Sequence, residues 1–80
     1  MVQAEMSLYP LRQDELQEPI AAFLEELKRR GVEGQAGTMS TGISGEVKQI
    51  FEAMGAAFAQ VADQGPVVLV VKVSNACPAR

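Results

Sequence analysis

The sequence contains no histidine and only one cysteine, Cys77, among its 80 residues. Without histidine, the usual zinc ligand sets and all histidine-based catalytic triads are excluded. A single cysteine cannot form a disulfide within the chain, and with no second cysteine beside it we expect a reduced thiol without a metal or catalytic role. A domain this small buries a modest fraction of its surface, so oligomerisation is the remaining simple source of extra burial.

Positive charge and long apolar runs are also scarce. Seven lysines and arginines face ten aspartates and glutamates, which gives a formal net charge of -3 and argues against a nucleic-acid partner. The one basic cluster, residues 28–30, lies at a predicted helix end, where cations favour the helix dipole. The longest apolar run, residues 67–71, is too short to cross a membrane, and the first ten residues do not resemble a signal peptide. We therefore expect one cytoplasmic domain over residues 1–80, with no membrane partner and no cofactor.

Two segments have the pattern of β-strands. Residues 2–9 alternate strictly between apolar and polar side chains, as in a strand with one face on the core, and Pro10 is expected to end it. Residues 67–74, VVLVVKVS, are apolar without alternation, as in a strand covered on both faces. With helices on one face only, Val68 and Val70 would lie on bare sheet. An uncovered apolar strip of this kind usually marks an interface.

Residues 14–30 change to the period of a helix. Pro19 is accommodated if the regular helix starts near Glu18, or if a loose turn precedes it, and Gly31 supplies the stop. Glu26 falls outside the apolar stripe. The stripe consists of Leu16, Ile20, Phe23, Leu24 and Leu27.

A second helix is expected between Gly45 and Gly65. Ser44 or Gly45 is the expected N-cap region, with Glu46 in the first turn, and Gly65 and Pro66 break the helix. Several glycines and alanines, Gly55 and Ala57 among them, keep part of its surface small and allow close packing. Its apolar stripe consists of Val47, Ile50, Phe51, Met54, Phe58, Val61 and Ala62.

Between the helices lies a segment rich in glycine and hydroxyl groups, VEGQAGTMSTGISG at 32–45. It predicts two short strands, 32–39 and 41–44, joined by a tight connection around Ser40. The complete order is then strand, helix, strand, strand, helix, strand. Two interleaved right-handed βαβ units of this kind give the ferredoxin-like βαββαβ fold of the α+β class. That fold has a four-stranded antiparallel sheet with both helices on one face, and its first and third strands are central.

Three polar clusters remain once the core is assigned. In chain order they are Glu5, Ser7 and Tyr9; Met39, Ser40, Thr41 and Ser44; and Ser74, Asn75, Ala76, Cys77 and Pro78. A carboxylate on a partly covered central strand needs a cation or donor, and Lys72 has the parity to pair with Glu5. Hydroxyls beside glycines can hydrogen-bond a heterocycle while the backbone approaches closely. A solvated sheet face and ordinary turn chemistry explain the same residues without any ligand.

Three motifs, SLYP at 7–10, MSTGISGE at 39–46 and SNACP at 74–78, stand in order along the chain. Together they resemble the YkoF-like thiamine/hydroxymethylpyrimidine-binding family over essentially the whole sequence. The resemblance implies a ferredoxin-like fold and non-catalytic binding of thiamine or its pyrimidine half. Because YkoF-type members carry two such domains in tandem, it also implies a homodimer or homotetramer here. The residues predicted to bind ligand are Glu5, Ser7, Tyr9, Met39, Ser40, Thr41, Ser74, Asn75 and Cys77.

The chemistry of thiamine suits these side chains. Ser40 and Thr41 offer donors and acceptors to an aminopyrimidine edge, and Glu5 can accept from the amino group or offset the thiazolium charge. Tyr9, Met39 or Met54 can pack on a ring face. A few neutral hydrogen bonds and partial ring burial predict roughly micromolar affinity. Without a strong basic cluster, the pyrophosphate form should bind less well.

Two other classes of function compete with this hypothesis. In a structural or regulatory oligomer, the same residues would only complete a hairpin and an interface. A small enzyme on this fold is disfavoured, because the chain offers neither histidine nor an arginine–asparagine phosphate cradle. A copper-chaperone function is disfavoured because the sequence has no C-x-x-C pair. An RNA-recognition function is disfavoured because the strands lack the aromatic residues that stack on bases.

Overall fold

The computed structural model describes residues 1–11, 17–32, 34–36 and 40–76. Within these ranges the elements are β1 (Val2–Pro10), α1 (Gln17–Arg29), β2 (Gln35–Ala36), β3 (Thr41–Gly45), α2 (Val47–Ala62) and β4 (Val67–Ser74). The α+β class expected from the periodicity is confirmed. None of the helices in these ranges is both long enough and apolar enough to cross a membrane.

Three antiparallel strands form the body of the sheet. β1 pairs with β3 along one side, from Val2↔Gly45 to Met6↔Thr41, and with β4 along the other. The two-residue β2 pairs with β3, giving the order β2-β3-β1-β4. The first and third strands are therefore central, as predicted. β4 has the predicted bounds, and β1 includes Pro10 as its last residue.

The predicted second strand, 32–39, is wrong at its start. Val32 is not in a strand; it is buried and caps α1 through a hydrogen bond from its N–H to the Leu27 carbonyl at 2.9 Å. Strand structure occupies Gln35–Ala36, and residues 33 and 37–39 of the predicted strand lie outside the described part of the chain.

A single apolar core lies between one face of the sheet and the two helices. The inward side chains of β1 are Val2, Ala4 and Met6, all at most 6% exposed. Alternate residues of β4 pack against the same core, while Val68 and Val70 point away from it. Both helices thus cover one face of the sheet. The opposite face carries the odd-numbered side chains of β1, and because neither α1 nor α2 lies on it we call it the helix-free face.

Gly31 ends α1 as predicted, through a Schellman motif. Its φ of 84° is a left-handed conformation that glycine adopts without penalty. The Gly31 N–H donates to the Lys28 carbonyl and the Val32 N–H to the Leu27 carbonyl, the two bonds that define the motif. At the other end, Pro19 lies in the first turn of α1, and residues 12–16, where a loose turn would precede the helix, lie outside the described part of the chain.

The buried side of α1 differs from the predicted stripe. Pro19, Phe23 and Leu27, spaced at four, face inward, whereas Ile20 remains 36% exposed. Glu26 was placed outside the stripe but is 5% exposed. Its carboxylate accepts from Arg29 at 2.7 Å and from Arg30 at 3.0 Å, which makes its burial tolerable. Leu16 lies outside the described residues.

α2 begins later than predicted and turns a different side inward. β3 retains Ser44 and Gly45 through its ladder with β1, so Glu46 becomes the N-cap residue and makes no side-chain cap hydrogen bond. Val47 and Phe51, two members of the predicted stripe, are about half exposed. The buried residues are Ile50, Ala53, Met54, Ala57 and Val61. The small side chains at 53 and 57 lie within this buried side, which is therefore turned away from Phe51.

Candidate functional site

The register of the sheet arranges polar side chains of the helix-free face in rows. Directly opposite residues of antiparallel strands point to the same face. One row runs across all the strands as Gln35, Gly42, Glu5 and Lys72. The next row consists of Ser44, Gln3 and Ser74. We call the first of these the central row.

Glu5 is the electrostatic centre of this face. The Ser40 hydroxyl donates to its Oε2 at 3.0 Å, and the Lys72 ammonium lies 3.2 Å from its Oε1. The Ser40 hydrogen bond, and then the hydrogen bond and positive charge of Lys72, lower the pKa of Glu5 below its ordinary value of 4.5. The Glu5 side chain is still 54% exposed, so the carboxylate is ionised and within reach of a ligand. Lys72, one of the two candidate partners considered for this carboxylate, does pair with it.

Gly42 leaves an opening beside this carboxylate. A Cβ built at Gly42 would meet no atom of the described part of the chain within 4 Å, its chain neighbours aside. Gly42 also lines a cavity of about 910 Å³ at the β2–β3 side of the sheet, whose wall includes Gln3, Gln35 and Ser44 together with the α1 residues Leu24, Glu25 and Lys28. Hydroxyl and amide groups therefore surround bare backbone next to a negative charge.

The structure brings most of the described candidates to one face. Ser7 and Tyr9 lie on the helix-free face opposite Val70 and Val68 respectively. Ser74 lies on it opposite Gln3, and its hydroxyl accepts the Ala76 N–H at 3.0 Å, as the strand ends. Asn75 follows it as an exposed residue of the turn.

Two candidates lie on the other side of the sheet. Thr41 shares the parity of the buried Ile43, and a Cβ added at Gly34 would lie 2.8 Å from Thr41 Cγ2 and 3.3 Å from Ile43 Cγ2. Met54 is a core residue of α2, at 6% exposure, and does not reach the helix-free face. Met39 and Cys77 lie outside the described residues.

Three members of these rows were missed by the sequence patterns: Gln3, Gln35 and Gly42. The alternation of residues 2–9 puts Gln3 on the same face as Glu5, and this signal was available. The other two depend on which residue of one strand stands opposite which residue of the next. A one-residue shift in register would send the whole set to the opposite face.

An apolar strip borders the polar rows. Val68 is 44% exposed and Val70 52% exposed, beside Tyr9 at 52%. The helix-free face is thus divided into a polar part near Glu5 and an apolar part toward the end of β1. A flat molecule with a polar edge suits the first part, and another apolar surface suits the second.

Solved structures of similar fold come from several organisms. A hypothetical protein from Methanocaldococcus jannascii matches with a TM-score of 0.85 and 22% identity, over 99% of this chain and 84% of that one. A domain of unknown function from Bacillus cereus matches with a TM-score of 0.78 and 21% identity, over 91% and 73% of the two chains. A candidate thiamine biosynthesis/salvage protein from Thermotoga maritima matches with a TM-score of 0.79 and 20% identity, over 90% and 80%. At these identities the likeness establishes the fold alone.

The sequence itself matches a known protein family, which establishes more than the fold. No functionally curated protein matches this chain. The model of the YkoF-related family matches residues 1–80, which is the full length of the sequence. This agrees with the resemblance carried by the three motifs. The chain belongs to the YkoF-related family.

Proposed function

We propose that this chain binds thiamine or its hydroxymethylpyrimidine half, without catalysis and as a homo-oligomer, in thiamine salvage, transport or carriage. The observation that carries the proposal is the convergence of the Ser40 hydroxyl and the Lys72 ammonium on the exposed Glu5 carboxylate. Family membership and the role attributed to the Thermotoga maritima neighbour support it. The accompanying fold is the ferredoxin-like arrangement, with both helices on one face of a four-stranded antiparallel sheet.

Recognition of the pyrimidine follows from the donors and acceptors at Glu5. An ionised carboxylate is an acceptor with room for about four hydrogen bonds, of which Ser40 and Lys72 occupy two here. The exocyclic amino group of the pyrimidine can donate to a remaining position. Hydrogen bonds to charged groups contribute about 1.5–3 kcal/mol, which is enough to orient a small ring on an open face.

Calorimetric titration with hydroxymethylpyrimidine and with thiamine tests the proposal. We expect roughly micromolar dissociation constants for the unmodified protein. Glu5→Gln keeps the shape of the side chain but removes its charge, and should weaken binding by about tenfold or more. Ser40→Ala should weaken it by a smaller factor, because it removes one neutral donor to Glu5.

Glu52→Gln is the matched control. Glu52 is also an exposed glutamate paired with a lysine, with Lys48 Nζ at 4.0 Å, but it lies on α2. Its replacement should leave both affinities unchanged. No heat and no thermal stabilisation of the unmodified protein at millimolar ligand would contradict the proposal.

The second candidate function is a structural or regulatory oligomer without a small-molecule ligand. The exposed strip of Tyr9, Val68 and Val70 favours it, because the strip suits a second apolar surface. Under this alternative, Ser40→Ala and Glu5→Gln change thermal stability or self-association and no ligand binds. Loss of affinity with an unchanged melting temperature excludes it.

A further inference from the structure

Gly42 occupies the one position of the central row that has no side chain. Glu5 and Gln35 are its direct neighbours on the two adjoining strands. Because opposite residues share a face, the missing Cβ of Gly42 points to the helix-free face, beside the Glu5 carboxylate. Apart from its two chain neighbours, no atom of the described residues lies within 4 Å of that point.

The opening has the width of a small ring. Neighbouring strands lie about 4.8 Å apart, so Gln35 and Glu5 flank Gly42 at a backbone separation of roughly 10 Å. The nearest residues of the same face along the chain are Ser44 on β3 and Ser40, which directly precedes β3 and reaches Glu5. The opening is therefore bounded on four sides by polar side chains and floored by peptide backbone.

The four bounding groups differ in hydrogen-bonding character. Glu5 is ionised and only accepts, the Gln35 amide both donates and accepts, and each serine hydroxyl does both. A planar heterocycle that carries an amino group and ring nitrogens matches this set. A sugar or an aliphatic ligand would not use the flat floor, and an anion would be repelled by Glu5.

We infer that Gly42 is the seat of the planar ring, with the aminopyrimidine lying against its backbone and directing its amino edge to Glu5. This inference rests on the proposed function and adds the position and orientation of the ligand. Glycine is needed there because any side chain would fill the space of the ring. Lys72 lies on β4, separated from Gly42 by β1, so its ammonium pairs with the Glu5 carboxylate from the side away from the bound ring.

A graded pair of substitutions, Gly42→Ala and Gly42→Val, tests the seat with hydroxymethylpyrimidine as the probe. Neither residue meets a steric obstacle at its Cβ, and both suit an extended strand at least as well as glycine. We therefore expect melting temperatures equal to or above that of the unmodified protein. Affinity should fall with side-chain size, by several-fold for alanine and by about tenfold or more for valine.

Gly55→Ala is the matched control, because its Cβ also meets nothing within 4 Å, on α2 rather than on the sheet. Its affinity for the probe should equal that of the unmodified protein. If the unmodified protein binds and Gly42→Val binds equally well, the seat at Gly42 is wrong while the proposed function stands. If the unmodified protein does not bind the probe, the proposed function and the seat both fail.

An independent readout covers the case in which a Gly42 variant is poorly folded. In an NMR titration of the unmodified protein with hydroxymethylpyrimidine, the backbone amide of Gly42 should shift with the same saturation curve as the calorimetric heat. The amide of Gly55 should not move. Shifts at other residues without any at Gly42 would overturn the inference.

Discussion

Glu5 is held by two partners of different chemical kind. Ser40 contributes a neutral hydrogen bond from the residue that precedes β3, and Lys72 contributes a charge from β4. Lys72 is 81% exposed, so water screens its pairing with Glu5 and the pair adds little to folding. The arrangement is better understood as keeping an accessible carboxylate ionised and oriented than as stabilising the fold.

The first prediction concerns the titration of Glu5. Both partners favour the charged form, so Glu5 should titrate below 4.5 in the folded protein, and Ser40→Ala and Lys72→Met should each raise its pKa toward that value. Because the folded-state pKa is lowered, the associated stability is present above the unfolded pKa and disappears as pH falls through the folded one. Carboxyl carbon shifts followed by NMR between about pH 2 and 7 measure this directly. An unchanged pKa in both variants would contradict the pairing.

Sequence patterns anticipated part of this site at the level of single residues. The alternation in β1 and the parity of β4 were enough to place Glu5 and Lys72 on the same face, because each depends only on a period of two; that they stand directly opposite each other depends on the register. The placement of Ser40 relative to Glu5 was not available, since these residues are 35 apart in sequence and meet only through the pairing of β1 with β3. Thr41 was assigned to the site with Ser40, although neighbouring residues of a strand point to opposite faces.

At the scale of the elements, two glycines differ in the backbone conformation that they adopt, and replacing each by alanine tests the role of the Schellman motif. Gly31 ends α1 at a φ of 84°, and a Cβ there would also lie 3.1 Å from Gln49 Nε2. Alanine at this position should cost about 1–2 kcal/mol, because the left-handed conformation is unfavourable for it. Gly55, in the interior of α2, has open space around it, and alanine there should add about 0.5–1 kcal/mol.

Urea unfolding of the two variants measures these free energies, with the midpoints compared at equal slope. The same glycine-to-alanine change should thus lower stability at Gly31 and raise it at Gly55. Equal and small effects at both positions would show that the Schellman motif contributes nothing to the end of α1.

The helices and strands were predictable where a clear hydrophobic pattern was bounded by glycine or proline residues. The bounds of β4 follow from the β-rich run that begins directly after Gly65 and Pro66. The C-terminus of α1 follows from Gly31. The inward side of α2 was not predictable from hydrophobicity, because it includes the small residues Ala53 and Ala57 while the larger Phe51 remains exposed. The predicted start of the second strand at Val32 was wrong because apolar character alone did not show the role of this residue. Its N–H donates to the Leu27 carbonyl and so caps α1.

At the scale of the whole molecule, one face of the sheet carries both a polar site and an apolar strip without helices over it. A domain of 80 residues has limited core, so covering Val68 and Val70 in a second copy would add useful burial. A two-fold contact would apply the same strip to itself, as symmetric dimers do. The polar rows near Glu5 would then lie at the rim of the contact, where a small ligand has access.

Val70→Glu tests this assembly against Val47→Glu as a matched control. The two valines are almost equally exposed, at 52% and 51%, but Val70 lies on the helix-free face and Val47 on α2. In an isolated domain both substitutions should change stability by no more than about 0.5 kcal/mol, since exposed positions tolerate change. In a dimer joined through the strip, a glutamate at 70 would be desolvated against apolar surface, so Val70→Glu should dissociate it while Val47→Glu should not. Sedimentation velocity at matched concentrations distinguishes the cases, and a monomeric unmodified protein at about 100 μM, well above the micromolar range of a specific contact, would exclude the proposed homo-oligomer.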